Sequence, residues 1–286
     1  MSTRDKAYQV ITDRILAALE SGTVPWRKPW TLAPGQHPHN LDTKRPYSGI
    51  NAIVLALSGF QDPRWITYKA AAKRGGHVRK NEKGTPVIFW KPLDRTIINA
   101  DGEEEDKTYW LLKYYTLFNV EQIDGLDIPL VVDTEEFDPI KAAEDIVEGM
   151  PKRPLIQHNG ADRAYYTPME DTVHMPPKSA FDGAEEYYAT LMHELGHSTG
   201  HESRLNRHQM ETGIASFGSP VYSREELAAE FCSAFVCAET GIQNTIENSA
   251  SYIDNWSKVI KKDIRLVIQA ASQGQKAANY IINKPE

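Results

Sequence analysis

The sequence predicts an α+β protein of two domains, residues 1–130 and 131–286, on three observations. In the first half, helical, β-rich and loop-like stretches alternate without a regular period. The second half runs as a helix, three short strand candidates and another helix. Charge divides the same way: 18 Lys+Arg stand against 15 Asp+Glu through residue 130, and 14 against 24 in the remainder. Residues 22–95 alone hold 13 basic and 4 acidic side chains, so a basic block is joined to an acidic one, the pattern of two units with different partners.

At 286 residues with 41% hydrophobic content the chain can bury a sizeable core. No apolar run approaches the roughly 20 residues needed to cross a membrane. The N-terminal segment is charged and amphipathic without a signal-peptide core, so the expected location is cytoplasmic, with no membrane partner. Cys232 and Cys237 lie five apart in a predicted helix and point to different faces, which argues against a disulfide and against a metal pair.

Residues 4–20 place Tyr8, Ile11, Ile15 and Leu19 at helical spacing and end at Gly22. Pro25-Trp26-Arg27-Lys28-Pro29-Trp30 and the loop at 33–40 follow, where prolines forbid regular structure. Two tryptophans flanking an Arg-Lys pair fit a base-stacking platform with phosphate contacts, and fit equally a loop pinned to the core. An apolar helix-like run ends at Leu57, and Trp65-Ile66-Thr67-Tyr68-Lys69 leads through an alanine-rich turn of helix to Gly75-Gly76. Thr85 to Trp90 reads as a strand, the acidic stretch 101–106 as a solvated hairpin loop, and Tyr109 to Val120 as a β-rich run. The Gly and Lys residues near 80 do not form a phosphate-binding loop, since no Gly-Lys-Ser/Thr opens a helix.

Five of the six tryptophans and most of the basic surface lie in this half. Aromatic rings offer stacking faces and Lys and Arg offer phosphate contacts, which is the footprint of a nucleic-acid binder. No duplex-reading motif is evident, so single-stranded DNA is the expected partner. The candidate contact residues are Trp26, Arg27, Lys28, Trp30, Lys44, Arg45, Tyr47, Tyr68, Lys69, Arg79, Lys80 and Lys83.

In the second half, 131–137 reads as a linker, and Asp138 with Pro139 opens a helix running to about Glu148. Leu155 to His158, Ala164 to Thr167 and Thr172 to Met175 are short strand candidates. A helix, a small sheet and then a His-Glu helix is the order of a zincin catalytic subdomain, whose last strand can pair with an extended peptide. His158 and His174 read as ordinary strand or loop histidines.

That helix carries His193-Glu194-Leu195-Gly196-His197. Histidines four apart share one helical face, close enough for both imidazoles to bind one ion. In the H-E-x-x-H arrangement two neutral imidazoles hold zinc and the intervening carboxylate takes a proton from water. The bland alternative is a surface helix with His and Glu on its solvated face. Against it, Asp182 and Glu185 have capping-box spacing before the apolar run of Tyr188, Leu191 and Leu195, and Gly200 can supply a left-handed stop.

A catalytic zinc takes three protein ligands and leaves one position for water. His201 lies past Gly200, and the metzincin pattern fails because position 203 is serine. The better source is Ser223 to Phe231, a predicted helix on which Glu226 and Glu230 share a face. Glu226 is favoured as the metal ligand and Glu230 as the partner of a liganding histidine, with the reverse left open. A capping box of Ser223 with Glu226 is the competing use. Ala228 and Ala229 would let this helix approach the first one closely.

These residues resemble the ArdC antirestriction proteins of conjugative plasmids, whose N-terminal region is similar to that of TraC primases. The resemblance is carried by Pro25-Trp26 to Trp30, Tyr47-Ser48-Gly49-Ile50-Asn51, Trp65 to Tyr68, Gly76 to Trp90 and Phe118 to Gln122. His193 to His197, Thr199-Gly200-His201, Arg204-Leu205 and Glu225 to Glu230 carry it in the second half. It implies an N-terminal domain that binds single-stranded DNA, a zincin-like metalloprotease domain, and protection of incoming plasmid DNA from host restriction during conjugation.

The leading expectation is a metal-dependent peptidase held on single-stranded DNA. Zn²⁺, or another divalent transition metal such as Mn²⁺, would be bound by His193, His197 and Glu226, with Glu194 as general base. Its second partner is an unidentified protein or peptide substrate, in this scheme one of the host restriction system. The alternatives are a DNA-binding shield whose metal site is structural or idle, and a toxin or effector metalloprotease whose basic half contacts a protein.

Overall fold

The structure is a computed structural model that describes residues 3–27, 32, 36–98, 104–129, 138–158, 162–207, 220–243 and 249–284. Helix α1 (Thr3–Glu20) buries Tyr8, Ile11, Ile15 and Leu19, the stripe that its three- and four-residue spacing defines. It leans on the far end of the chain, where the Thr12 hydroxyl donates to the Ile264 carbonyl at 2.8 Å.

Then come β1 (His39–Asn40), α2 (Ile50–Ala56), β2 (Arg64–Thr67), α3 (Tyr68–Lys73) and β3 (His77–Val78). They are followed by β4 (Thr85–Ile98), β5 (Glu104–Asn119) and β6 (Ile123–Asp124). The main sheet has the order β1-β2-β5-β4, parallel between β1 and β2 and antiparallel elsewhere, and β3 pairs with β6. The β4–β5 hairpin is longer than the sequence suggested: the ladder runs to Ile98 opposite Glu104, so residues 104–106 belong to a strand rather than a loop. Polar pairs extend it, because Thr108 donates to Asp94 at 2.7 Å and Thr96 to Asp106 at 2.8 Å across the ribbon. Only Leu117 to Asn119 of β5 pair with β2, so the rest of the ribbon continues as a two-stranded arm.

In the second half Asp138 caps α4 (Pro139–Gly149) by accepting from the amides of Ile140 and Lys141. Strands β7 (Leu155–His158), β8 (Tyr165–Thr167) and β9 (Thr172–Met175) form a small sheet ordered β7-β9-β8. The last strand is therefore central and buried, with both its edges paired, which corrects the expectation that it is free to receive a peptide. Helices α5 (Ala184–Ser198), α6 (Pro220–Thr240), α7 (Ala250–Lys262) and α8 (Leu266–Ile281) complete the fold.

Three helix-end expectations are corrected. Gly183 holds the N-cap of α5 with no side-chain cap, and it is the Glu186 carboxylate that accepts from the Asp182 amide, so no Asp182–Glu185 box forms. After α5 the chain stays right-handed through Gly200, and the left-handed residue comes at Asn206 (φ 53°). Helix α6 starts at Pro220, ahead of Ser223, which leaves Glu226 inside the helix and free of capping.

The α+β organisation is as expected, yet the two halves share one core. Trp26 sits edge-on to Phe231 of α6 (5.4 Å between ring centroids) and to Trp256 of α7 (5.8 Å). The Gly49 amide donates to Gln275 of α8 at 3.0 Å. A smaller cluster of Leu41, Ile66, Ala71, Val120 and Ile123 packs around α3. The expected boundary at residue 130 falls on 130–137, outside the described residues. Cys232 and Cys237 are buried and unpaired, and no helix among the described residues is long and apolar enough to cross a membrane.

Helix α8 meets α6 at Gly274. A Cβ there would stand 2.6 Å from Phe231 Cβ and 2.8 Å from the Ala228 carbonyl oxygen. Alanine ordinarily favours a helix interior by about 1 kcal/mol over glycine. Contact with a backbone oxygen is not relieved by a rotamer change, so Gly274→Ala is expected to destabilise the protein by about 1–3 kcal/mol. A denaturation midpoint at or above the parent value would contradict this packing.

Candidate metal centre

His193 and His197 occupy one face of α5, and their Nε2 atoms lie 3.1 Å apart. Glu226 on α6 reaches both, with Oε1 3.3 Å from His193 Nε2 and Oε2 3.5 Å from His197 Nε2. Donor atoms of these three residues all fall within 4.8 Å of one another. Two imidazole nitrogens and one carboxylate oxygen, part-buried and converging, form a donor set suited to a divalent transition metal with a coordination position left over.

The helices can come this close because small residues meet between them. A Cβ on Gly196 would lie 3.1 Å from Cys232 Cβ and 3.3 Å from Ala229 Cα. Glu194, between the two histidines, is 8% exposed.

Burial alone would favour neutral imidazoles. The contacts and negative charge of Glu226 and Glu230 at His193, and of Glu225, Glu226 and Glu194 at His197, together outweigh it, so both are raised, His197 to about 10. Burial would likewise raise the two carboxylates. His197 with Arg207 holds Glu225 well below the usual range, and the two histidines do the same for Glu226. Loading such a set with a cation therefore releases protons.

Glu225 was not singled out as the histidine's partner in the sequence, yet its Oε1 lies 3.6 Å from His197 Nδ1. Arg207 fixes it, donating to Glu225 at 2.7 Å, to the Gly196 carbonyl at 2.9 Å and to the Thr199 hydroxyl at 2.6 Å. The expectation for Glu230 is corrected: its oxygens are taken up by Arg27 at 2.6 and 3.2 Å and by the Tyr252 hydroxyl at 2.7 Å. His201 turns to Ser203, and His158 pairs with Tyr187, away from the cluster.

The candidate DNA contacts divide. Trp26 is 2% exposed with its Nε1–H donating to Tyr252, and Arg27 is bound to Glu230, so neither presents itself to a strand. This corrects the stacking-platform expectation for both. Lys28 and Trp30 lie outside the described residues. Tyr47 is buried, and Arg79 is paired with Glu82 and Asp124. Lys44, Arg45, Tyr68, Lys69, Lys80 and Lys83 are exposed.

Two family models match the chain: the N-terminal domain of anti-restriction factor ArdC over residues 5–118, and a zincin-like metallopeptidase over residues 142–273. The crystal structure of antirestriction protein ArdC from plasmid R388, in metal-free form, matches with TM-score 0.74 and 38% identity over 97% of each chain. The chain belongs to the ArdC antirestriction family. A Mn(II)-bound structure of the R388 ArdC matches with TM-score 0.73 and 37% identity over the same share of both chains. This family member is also 38% identical to two Escherichia coli DNA primases named TraC, of which it spans 27% and 20% of the length. It is 33% identical to protein y4eC of Sinorhizobium fredii over 91% of that protein.

The Arg27–Glu230 pair ties the two matched regions together. Arg27→Met leaves a buried carboxylate without its cation and is expected to cost about 3–5 kcal/mol. Adding Glu230→Leu should recover most of that loss in chemical denaturation. A single variant as stable as the parent would show that the pair is not formed in solution.

Proposed function

We propose that this chain is a divalent-metal-dependent peptidase carried on a protein that binds single-stranded DNA, and that it protects incoming plasmid DNA from host restriction. The observation that carries the reading is the convergence of His193, His197 and Glu226 within 4.8 Å, beside buried Glu194. Zinc and manganese both suit these donors, and the R388 relative is described as Mn(II)-bound. A metal held there supplies a Lewis acid that polarises water and a peptide carbonyl.

The chain's own residues do the rest. Glu194 accepts the proton that water gives up on attacking the carbonyl and returns it to the leaving amine. Glu225, held by Arg207, keeps the His197 ring oriented through Nδ1. The DNA reading is supported by the excess of basic side chains over residues 22–95 and by the relatives named as DNA primases.

Glu194→Gln keeps the shape of the side chain and removes its basicity. It is expected to retain stoichiometric metal while peptide hydrolysis falls at least about 100-fold. Unchanged turnover would sink the mechanism. If plasmid protection survives in that variant while hydrolysis is lost, the protein acts as a DNA-binding shield. His193→Ala and Glu226→Ala are expected to lose the metal, and Glu230→Gln to keep it. Elemental analysis that finds full metal in Glu226→Ala would remove Glu226 from the ligand set.

A further inference from the structure

In an antiparallel ribbon, cross-strand partners lie on the same face, and the faces alternate residue by residue. Along β4 and β5, Phe89 is opposite Lys113, Lys91 opposite Leu111, Leu93 opposite Tyr109, and Arg95 opposite Lys107. One face of the arm thus carries Lys91, Arg95, Lys107 and Lys113 against a single acid, Glu105. The other carries Asp94, Glu104 and Asp106 and no base. Apart from Glu105, the ribbon sorts its charge by pleat, with opposite signs on its two sides.

Exposed aromatic rings stand on both faces, Trp90, Trp110 and Tyr114 on the acidic one and Phe89, Tyr109 and Tyr115 on the basic one, so only the basic face sets rings beside cations of its own strands. Phe89, Tyr109 and Tyr115 are 40%, 44% and 42% exposed, large fractions for such rings. Tyr115 meets Phe89 edge-on at 5.7 Å, and Phe89 lies 6.2 Å from Tyr47. That row runs into a cavity of about 370 Å³ at the root of the arm, lined by Tyr47, Ser48 and Phe89 on one side and by Gln275 and Lys276 of α8 on the other.

We propose that the basic face of this arm, ending in the cavity at its root, is the track on which single-stranded nucleic acid lies. Bases stack on Phe89, Tyr109 and Tyr115, phosphates meet the four cations, and one nucleotide seats in the cavity. The proposal rests on the reading of the chain as a single-strand binder and says where the strand goes. Same-face side chains recur every 6.7 Å or so along a strand, about twice the 3.4 Å rise of a stacked nucleic-acid strand. An extended, unstacked strand matches that repeat, and only unpaired bases offer their faces to rings.

The test is fluorescence anisotropy of labelled oligo(dT) across a salt series, with parent, Lys91→Gln/Lys107→Gln, Tyr109→Ala and Lys258→Gln/Lys262→Gln proteins, the last pair exposed on α7. The Lys91/Lys107 variant should bind about ten-fold more weakly, with a salt slope reduced by about 1.4. Tyr109→Ala should weaken binding about ten-fold with the slope unchanged. The Lys258/Lys262 variant, with the same loss of charge elsewhere, should stay within about two-fold of the parent. Parent-like affinity in both arm variants overturns the proposal and leaves DNA binding standing, whereas a parent protein that does not bind oligo(dT) overturns both. An equal loss in the Lys258/Lys262 variant overturns the proposal in favour of bulk charge. Displacement of the oligonucleotide by poly-glutamate at equal charge concentration overturns it in favour of an acidic peptide.

Discussion

The approach of α5 to α6 is the constraint on which the site depends. Gly196 lies against Ala229 and Cys232, so close that even a Cβ would press on Cys232. Only at that separation can Glu226 reach both histidines while Glu225, one residue earlier, reaches the far nitrogen of His197. Two carboxylates and two imidazoles drawn out of water would each carry a large desolvation penalty alone, and each finds opposite charge within hydrogen-bonding range. The same geometry that suits a cation also stabilises the cluster without one.

Much of this was legible in the sequence, because it depends on a single helical repeat. The spacing of His193 and His197 fixes their common face, and Glu226 is a natural donor from a second helix. The role of Glu225 was not legible, since it depends on Arg207, which arrives from the irregular chain after α5 and selects between adjacent glutamates by a contact that no periodicity encodes. Glu230 was misread for the converse reason: its cation comes from residue 27, in the other half of the chain.

The same limit governs the basic half. Trp26 and Arg27 were grouped with Lys28 and Trp30 by adjacency, but burial is decided by what packs from elsewhere, and Phe231, Trp256 and Tyr252 cover Trp26. The segregation of charge on the β4–β5 arm has its own sequence signature in the alternation of residues 91–95 and 107–113. That signature becomes a face only when the register of pairing is known. The small sheet shows the same division: its three strands were readable as segments, and their order, with the last strand in the middle, was not.

Trp26 wedged between α6 and α7 also bears on how the family is put together. A chain cut between the two matched regions would bare an aromatic seam on one piece and strand the Glu230 carboxylate on the other. Inheritance should therefore favour exchange of the pair as one cassette. The Escherichia coli primases fit that expectation, aligning with 96% and 99% of this chain inside much longer polypeptides.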